Sequence, residues 1–128
     1  MKEPIQTTSA PGALGPYSQA IATEEHLFCS GQGPVDPGTG EVIEGGVAAQ
    51  TERTLQNLGA VLEAAGLDHG DVVKTTCFLR DMDDFKAFNE VYARFFPQPY
   101  PARSTIEAAR LPLDIAVEIE AIALRRRG

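Results

Sequence analysis

The chain has 128 residues, 43% hydrophobic and 23% charged, which is enough apolar material for one compact domain spanning 1–128 with its own core. A net charge of −7 and a pI near 4.7 argue against a nucleic-acid backbone binder, whose affinity depends on clustered Lys and Arg. No stretch approaches the roughly 20 apolar residues that cross a bilayer, and Met1-Lys2-Glu3-Pro4 has no apolar signal region behind its charge, so we expect a soluble, cytoplasmic protein.

In chain order, Ala20-Ile21-Ala22-Thr23 and His26-Leu27-Phe28-Cys29-Ser30 flank a Glu24-Glu25 turn and predict a hairpin. A loop dense in Gly and Pro runs from Gly31 to Gly46. Its Asp36-Pro37-Gly38-Thr39-Gly40 has strong turn chemistry, punctuation within a domain rather than a linker. From Val47, the positions Val47, Thr51, Leu55, Leu58, Leu62 and Ala65 keep helical spacing as far as Gly66, which stands where a C-terminal cap belongs. Val72 to Leu79 is rich in β-branched residues and reads as a strand. Asp81 or Asp83 then caps a second helix carrying Phe85, Phe88, Tyr92 and Phe95, which Pro97, Pro99 and Pro101 terminate. Ser104 to Ala108 and Ile115 to Leu124 are the last strands. Two strands, helix, strand, helix, two strands make an α+β arrangement with both helices on one face of a single sheet.

Alternation along the last strand puts Ile115, Val117, Ile119, Ala121 and Ala123 on one face and Ala116, Glu118, Glu120, Ile122 and Leu124 on the other. The first suits a helix layer. The second, apolar and charged at once, suits another subunit, so a homo-oligomer is expected. Cys29 and Cys77 sit in apolar runs with no CxxC spacing and read as small buried hydrophobes. His26 and His69 lie in turn regions and form no HxxxH or HExxH pattern, so no metal site is expected. Arg125-Arg126-Arg127 reads as a frayed, solubilising terminus. Gly31-Gln32-Gly33 is followed by Pro34 rather than by a helix that could hold a pyrophosphate, and Ser18 and Ser104 have no histidine base in a recognisable motif.

Arg103, in Tyr100-Pro101-Ala102-Arg103-Ser104-Thr105, is the most informative cation, because a guanidinium matches a carboxylate bidentately and stays charged. It shares a strand face with Thr105 and Glu107. If that face coincides with the Glu120 face, Arg103 and Glu120 line one pocket, either as a plain salt bridge or as a carboxylate clamp beside an acid or base. Spacing leaves both readings open.

The blocks Gly15-Pro16-Tyr17-Ser18-Gln19-Ala20, Phe28-Cys29-Ser30-Gly31-Gln32-Gly33-Pro34, Phe88-Asn89-Glu90-Val91-Tyr92, Pro101-Ala102-Arg103-Ser104-Thr105 and Glu118-Ile119-Glu120-Ala121-Ile122-Ala123 together resemble the RidA/YjgF family across essentially the whole chain. The resemblance implies a chorismate-mutase-like fold with a single mixed sheet, a homotrimer with ligand sites in the clefts between subunits, and cofactor-free hydrolysis of 2-aminoacrylate, 2-iminobutanoate and 2-iminopropanoate to 2-oxo acids and ammonia. It assigns Arg103 to the substrate carboxylate, Glu120 to the attacking water and Tyr17 to the pocket border. Ser30 and Gly31 fall at a strand end beside the ligand, and Asn89 reaches in from the second helix. Thr105 stands where many relatives have cysteine, leaving its backbone carbonyl to orient water. The competing expectation is a non-catalytic protein that binds a 2-oxo acid or amino acid in the same cleft. Ribonuclease activity, attached to some relatives, fits poorly with so acidic a chain.

Overall fold

The computed structural model describes residues 1–126. Strands β1 (Glu3–Ile5), β2 (Ala20–Ala22), β3 (His26–Gln32), β4 (Val72–Leu79), β5 (Ala102–Glu107) and β6 (Val117–Leu124) form one sheet in the order β1-β2-β3-β6-β4-β5. Every pairing is antiparallel except β4 with β5, so the sheet is mixed. Helices α1 (Val47–Ala64) and α2 (Phe85–Phe95) pack on one of its faces.

β1 is the one strand the sequence pattern misses. It is only Glu3-Pro4-Ile5, and its proline is tolerable because an edge strand has ladder groups that need no partner. The β2–β3 hairpin forms at the expected place, closed by the Thr23 N–H donating to His26 O at 2.9 Å. α1 presents Thr51, Leu55, Leu58, Val61 and Leu62 to the core. After it the chain reverses at Gly66, whose φ of +78° is the left-handed conformation of a C-terminal cap.

α2 is entered differently from the expectation. Asp81 accepts from the Asp83 N–H and so caps a 3-10 turn, Met82–Asp84, that runs into the helix; Asp83 caps nothing, and Asp84 at the helix start makes no side-chain cap. Phe88, Val91 and Tyr92 form the buried stripe of α2.

Two helix amides fasten the long loop. Asn57, fully buried, donates through Nδ2 to Gly33 O (3.0 Å) and Val35 O (2.8 Å) and accepts from Arg53 Nε. Gln50 accepts from the Ala116 N–H at 2.8 Å and donates to Gly45 O. Buried carbonyls need such partners, so these amides hold the 33–46 segment against α1.

The last strand alternates as its sequence indicates. Val117, Ile119, Ala121 and Ala123 are buried beneath the helices, while Glu120 and Leu124 are exposed on the far side. With Phe28 and Ile106, each nearly half exposed, they make the far face a mixture of apolar and charged groups. The C-terminal arginines are not frayed where they are described. Arg125 hydrogen-bonds to Thr23 O and Glu25 O, and Arg126 bridges Asp68 and Asp71 at 2.8 Å each; Arg127 lies outside the described residues. Among the described residues no helix is long and apolar enough to cross a membrane.

Candidate functional site

The sequence-selected residues fall into two groups. The first forms where β5 meets α2. Arg103 donates from Nη1 to Asn89 Oδ1 at 2.8 Å, and its guanidinium lies over the rings of Tyr92, Phe85 and Phe88, with centroids 4.8, 5.4 and 5.5 Å away. Tyr92 is fixed in turn by a 2.7 Å hydrogen bond between its hydroxyl and that of buried Thr75. A cavity of about 440 Å³ opens beside Arg103, lined also by Asn89, Tyr92, Tyr100 and Pro101. The helix therefore supplies an aromatic bed and one acceptor, and the strand supplies the cation.

No carboxylate among the described residues pairs with Arg103. A half-buried guanidinium without a counter-ion keeps its bidentate capacity unused, and that is the state a carboxylate-binding arginine needs before its ligand arrives.

Thr105, two residues along the same strand face, has its hydroxyl buried against the Cys77 thiol without a hydrogen bond of good geometry. Burial pushes the Cys77 thiol up to about 11 and the Cys29 thiol up to about 12, so neither is a thiolate at neutral pH.

The second group gathers where β3 crosses β6. Cys29 pairs with Ala121 and Gln32 with Ile119, so Ser30 and Gly31 together stand opposite the single residue Glu120. This is a β-bulge, a device that re-aims side chains beside functional sites. Ser30 Oγ donates to Ser18 O at 2.6 Å and the Ser30 N–H to Gln19 O, bringing the Tyr17 segment alongside. Tyr17 and Gly31 line one cavity of about 200 Å³ with Leu113, Ile115 and Glu118. Leu113 and Asp114 at its rim have φ of 58° and 53°, a strained conformation for residues with side chains.

The assumption that Arg103 and Glu120 share a face is overturned. Arg103 pairs with Thr75, which pairs with Ala121, so Arg103 lies on the helix-covered face; Glu120 pairs with Thr76, which pairs with Ser104, on the open face. The two strands are not neighbours either, since β4 separates them by two strand spacings, about 10 Å. The salt-bridge reading falls with it, because the two charges point to opposite sides of the sheet. Polar Arg103, Thr105 and Glu107 are tolerated on the helix side because β5 is the sheet edge, where their exposure is partial or full.

Two contributors escaped sequence reasoning. Gln19, buried, accepts from the Thr7 N–H at 2.8 Å and donates to Pro11 O at 2.8 Å and to Thr7 O, tying down the segment that carries Tyr17. Glu118 is half-buried, and its burial, followed by the negative charge of Glu120, raises its carboxyl above the ordinary range. Alternation already placed it beside Glu120; nothing in the sequence foretold its desolvation.

Comparison with known proteins decides the family. The Endoribonuclease L-PSP family model matches residues 7–125. The 2-iminobutanoate/2-iminopropanoate deaminase of Salmonella typhimurium is 50% identical, over 98% of this chain and 100% of that protein. The chain belongs to the RidA/YjgF family. Two solved structures superpose closely. RidA from an Antarctic Psychrobacter gives a TM-score of 0.93 at 43% identity, covering 96% of this chain and 99% of that one. Escherichia coli TdcF with bound serine gives 0.91 at 46%, covering 97% and 99%. The expected fold, two helices on one mixed sheet, is thus that of the RidA/YjgF structures.

Proposed function

We propose that the chain is a cofactor-free deaminase of the cytoplasm that hydrolyses 2-aminoacrylate, 2-iminobutanoate and 2-iminopropanoate to 2-oxo acids and ammonia. The observation that carries this reading is the uncompensated guanidinium of Arg103, held by Asn89 and three aromatic rings. Every such substrate carries a carboxylate adjacent to the reacting carbon, and a bidentate clamp there fixes the imine carbon in one place. Relatives about 50% identical over the whole chain are named for this activity, which favours catalysis over binding alone.

The roles follow from chemistry. A protonated imine carbon is electrophilic, so the site needs a proton source and a positioned water. Glu120 with the Thr105 carbonyl orients the water, Tyr17 borders the pocket, and the bulge backbone at Ser30 and Gly31 approaches the ligand. Because Arg103 and Glu120 face opposite sides of one sheet, a site using both takes Arg103, Asn89 and Thr105 from one subunit and Tyr17, Ser30, Gly31 and Glu120 from the next. The exposed Phe28, Ile106 and Leu124 of the open face suit burial in such an assembly, which we take to be a homotrimer.

The test is a coupled assay in which threonine dehydratase releases the imine. Adding the purified protein should accelerate 2-oxobutanoate formation over the uncatalysed hydrolysis; an unchanged rate would contradict the assignment.

A further inference from the structure

Three rings lie under the Arg103 guanidinium, and they are not held alike. Phe85 and Phe88 have no polar handle, so packing alone places them. Tyr92 is the nearest of the three, 4.8 Å from the cation against 5.4 and 5.5 Å, and it is held at both ends. Its backbone belongs to α2, and its hydroxyl shares a 2.7 Å hydrogen bond with the Thr75 hydroxyl of β4. A ring tied at Cα and at its far tip has neither side-chain torsion left free.

Thr75 stands where such an anchor is needed. It is the register partner of Arg103 on the neighbouring strand, so their Cα atoms lie about 5 Å apart and both side chains leave the sheet on the helix-covered side. Thr75 is fully buried, and its β-branched side chain is stiff about χ1. The Cys77 thiol donates to the same hydroxyl oxygen at 3.9 Å. Burial pushes the Tyr92 phenol up from its ordinary value, which keeps the ring neutral near pH 7. Lys74, the other cation in this part of the sheet, points to the open face and donates to Ser104 Oγ at 3.4 Å, so it stands apart from this cluster.

Asn89 completes the arrangement. It lies three residues before Tyr92, on the same face of α2, and accepts from Arg103 Nη1 at 2.8 Å. One turn of α2 thus gives the guanidinium both its acceptor and its nearest ring, and the Thr75–Tyr92 bond fastens that turn to the strand beside Arg103.

We propose that Thr75 and Tyr92 are positioning residues of the carboxylate clamp: their hydroxyl pair sets where the Arg103 guanidinium lies, and with it how tightly a ligand carboxylate is held. The inference rests on the reading of Arg103 as that clamp and gives a task to a hydroxyl pair that the reading does not use. A cation over a ring face is held by the ring's quadrupole, so a ring that shifts carries the cation with it. A bidentate carboxylate contact needs two N–H···O bonds at once, and a guanidinium free to tilt loses one of them. A hydroxyl pair kept for stability alone would be dispensable, since replacing both partners by apolar groups of the same shape is nearly neutral.

The experiment combines calorimetric binding of 2-oxobutanoate, KM and kcat in the coupled dehydratase assay, and the urea midpoint. Thr75→Val and Tyr92→Phe should each weaken binding and raise KM by about tenfold, with kcat within about threefold of wild type. The double variant should bind no more weakly than either single one, because both remove the same interaction, while its urea midpoint returns close to that of wild type. Thr75→Ser, which keeps the hydroxyl, should bind within about threefold of wild type. A double variant that matches wild type in both midpoint and binding would overturn the proposal and leave the pair a stability device. If the double variant does not fold, Tyr92→Phe decides: binding about tenfold weaker supports the proposal, and binding within about threefold of wild type overturns it. Wild type that binds 2-oxobutanoate without accelerating hydrolysis would overturn the deaminase reading alone, and the same titrations would still decide the role of the pair. Binding left unchanged by Arg103→Ala would overturn the clamp and this inference together.

Discussion

Arg103→Ala is expected to lower kcat/KM for 2-iminobutanoate by about 30- to 5000-fold while leaving the protein folded. Removing one member of a desolvated, hydrogen-bonded charge pair typically costs about 2–5 kcal/mol of interaction, and under the proposed function the missing member is the one that would meet the substrate carboxylate. The fold has little to lose. Arg103 has no ion pair in the described chain and one hydrogen bond, to Asn89, so its stabilising contacts are mostly its stack on Phe85, Phe88 and Tyr92. Such stacking contributes about 0.5–2 kcal/mol. Steady-state kinetics beside a urea melt separates the two effects. A variant that unfolds readily yet, where folded, turns over normally would make Arg103 a structural residue.

Phe88→Ala is expected to be the more damaging change to the fold, costing about 3–5 kcal/mol out of the roughly 5–15 that hold a domain together. Phe88 is fully buried on α2. It packs against Tyr92 at 5.6 Å and lies 5.5 Å beneath the Arg103 guanidinium. The cavity left by alanine thus opens between α2 and the cation it supports. Urea denaturation should show the lower midpoint, and the folded fraction should show a raised KM before a lowered kcat, since positioning of the clamp is disturbed rather than the water. Phe88→Leu should retain most of the stability. A midpoint equal to wild type for Phe88→Ala would mean that α2 does not anchor the site.

Much of this architecture is legible in the sequence because its signals are local. The Val47 to Gly66 spacing, the β-branched run at Val72 and the prolines after Phe95 each act within one element and each locate it. β1 escapes because three residues carry no period. The face of Arg103 escapes for a different reason. Alternation sorts β5 into two faces, but which one meets the helices depends on its register against β4 and on that of β4 against β6. That is tertiary information. Hydrophobicity misleads as well: Ile106, the large apolar residue of β5, is half exposed on the open face, whereas Arg103 rests on aromatic rings. The bulge at Ser30 and Gly31 is equally invisible, because one extra residue against β6 appears only when both strands are aligned. Gln19 and Asn57 look like surface amides in a list of residues and prove to be buried fasteners of the loops.

The facing problem turns into the strongest statement about the site. Within one chain Arg103 and Glu120 lie on opposite sides of the sheet, so a site that needs both draws them from two subunits. Arg103→Ala and Glu120→Ala proteins, each strongly impaired alone under the proposed function, should therefore recover activity when unfolded together and reassembled in equal amounts. In a randomly mixed ring about a quarter of the sites receive an intact Arg103 from one subunit and an intact Glu120 from its neighbour. Recovery to about a quarter of the wild-type rate in the coupled dehydratase assay is the predicted result. A mixed preparation no more active than its separate parents would contradict it.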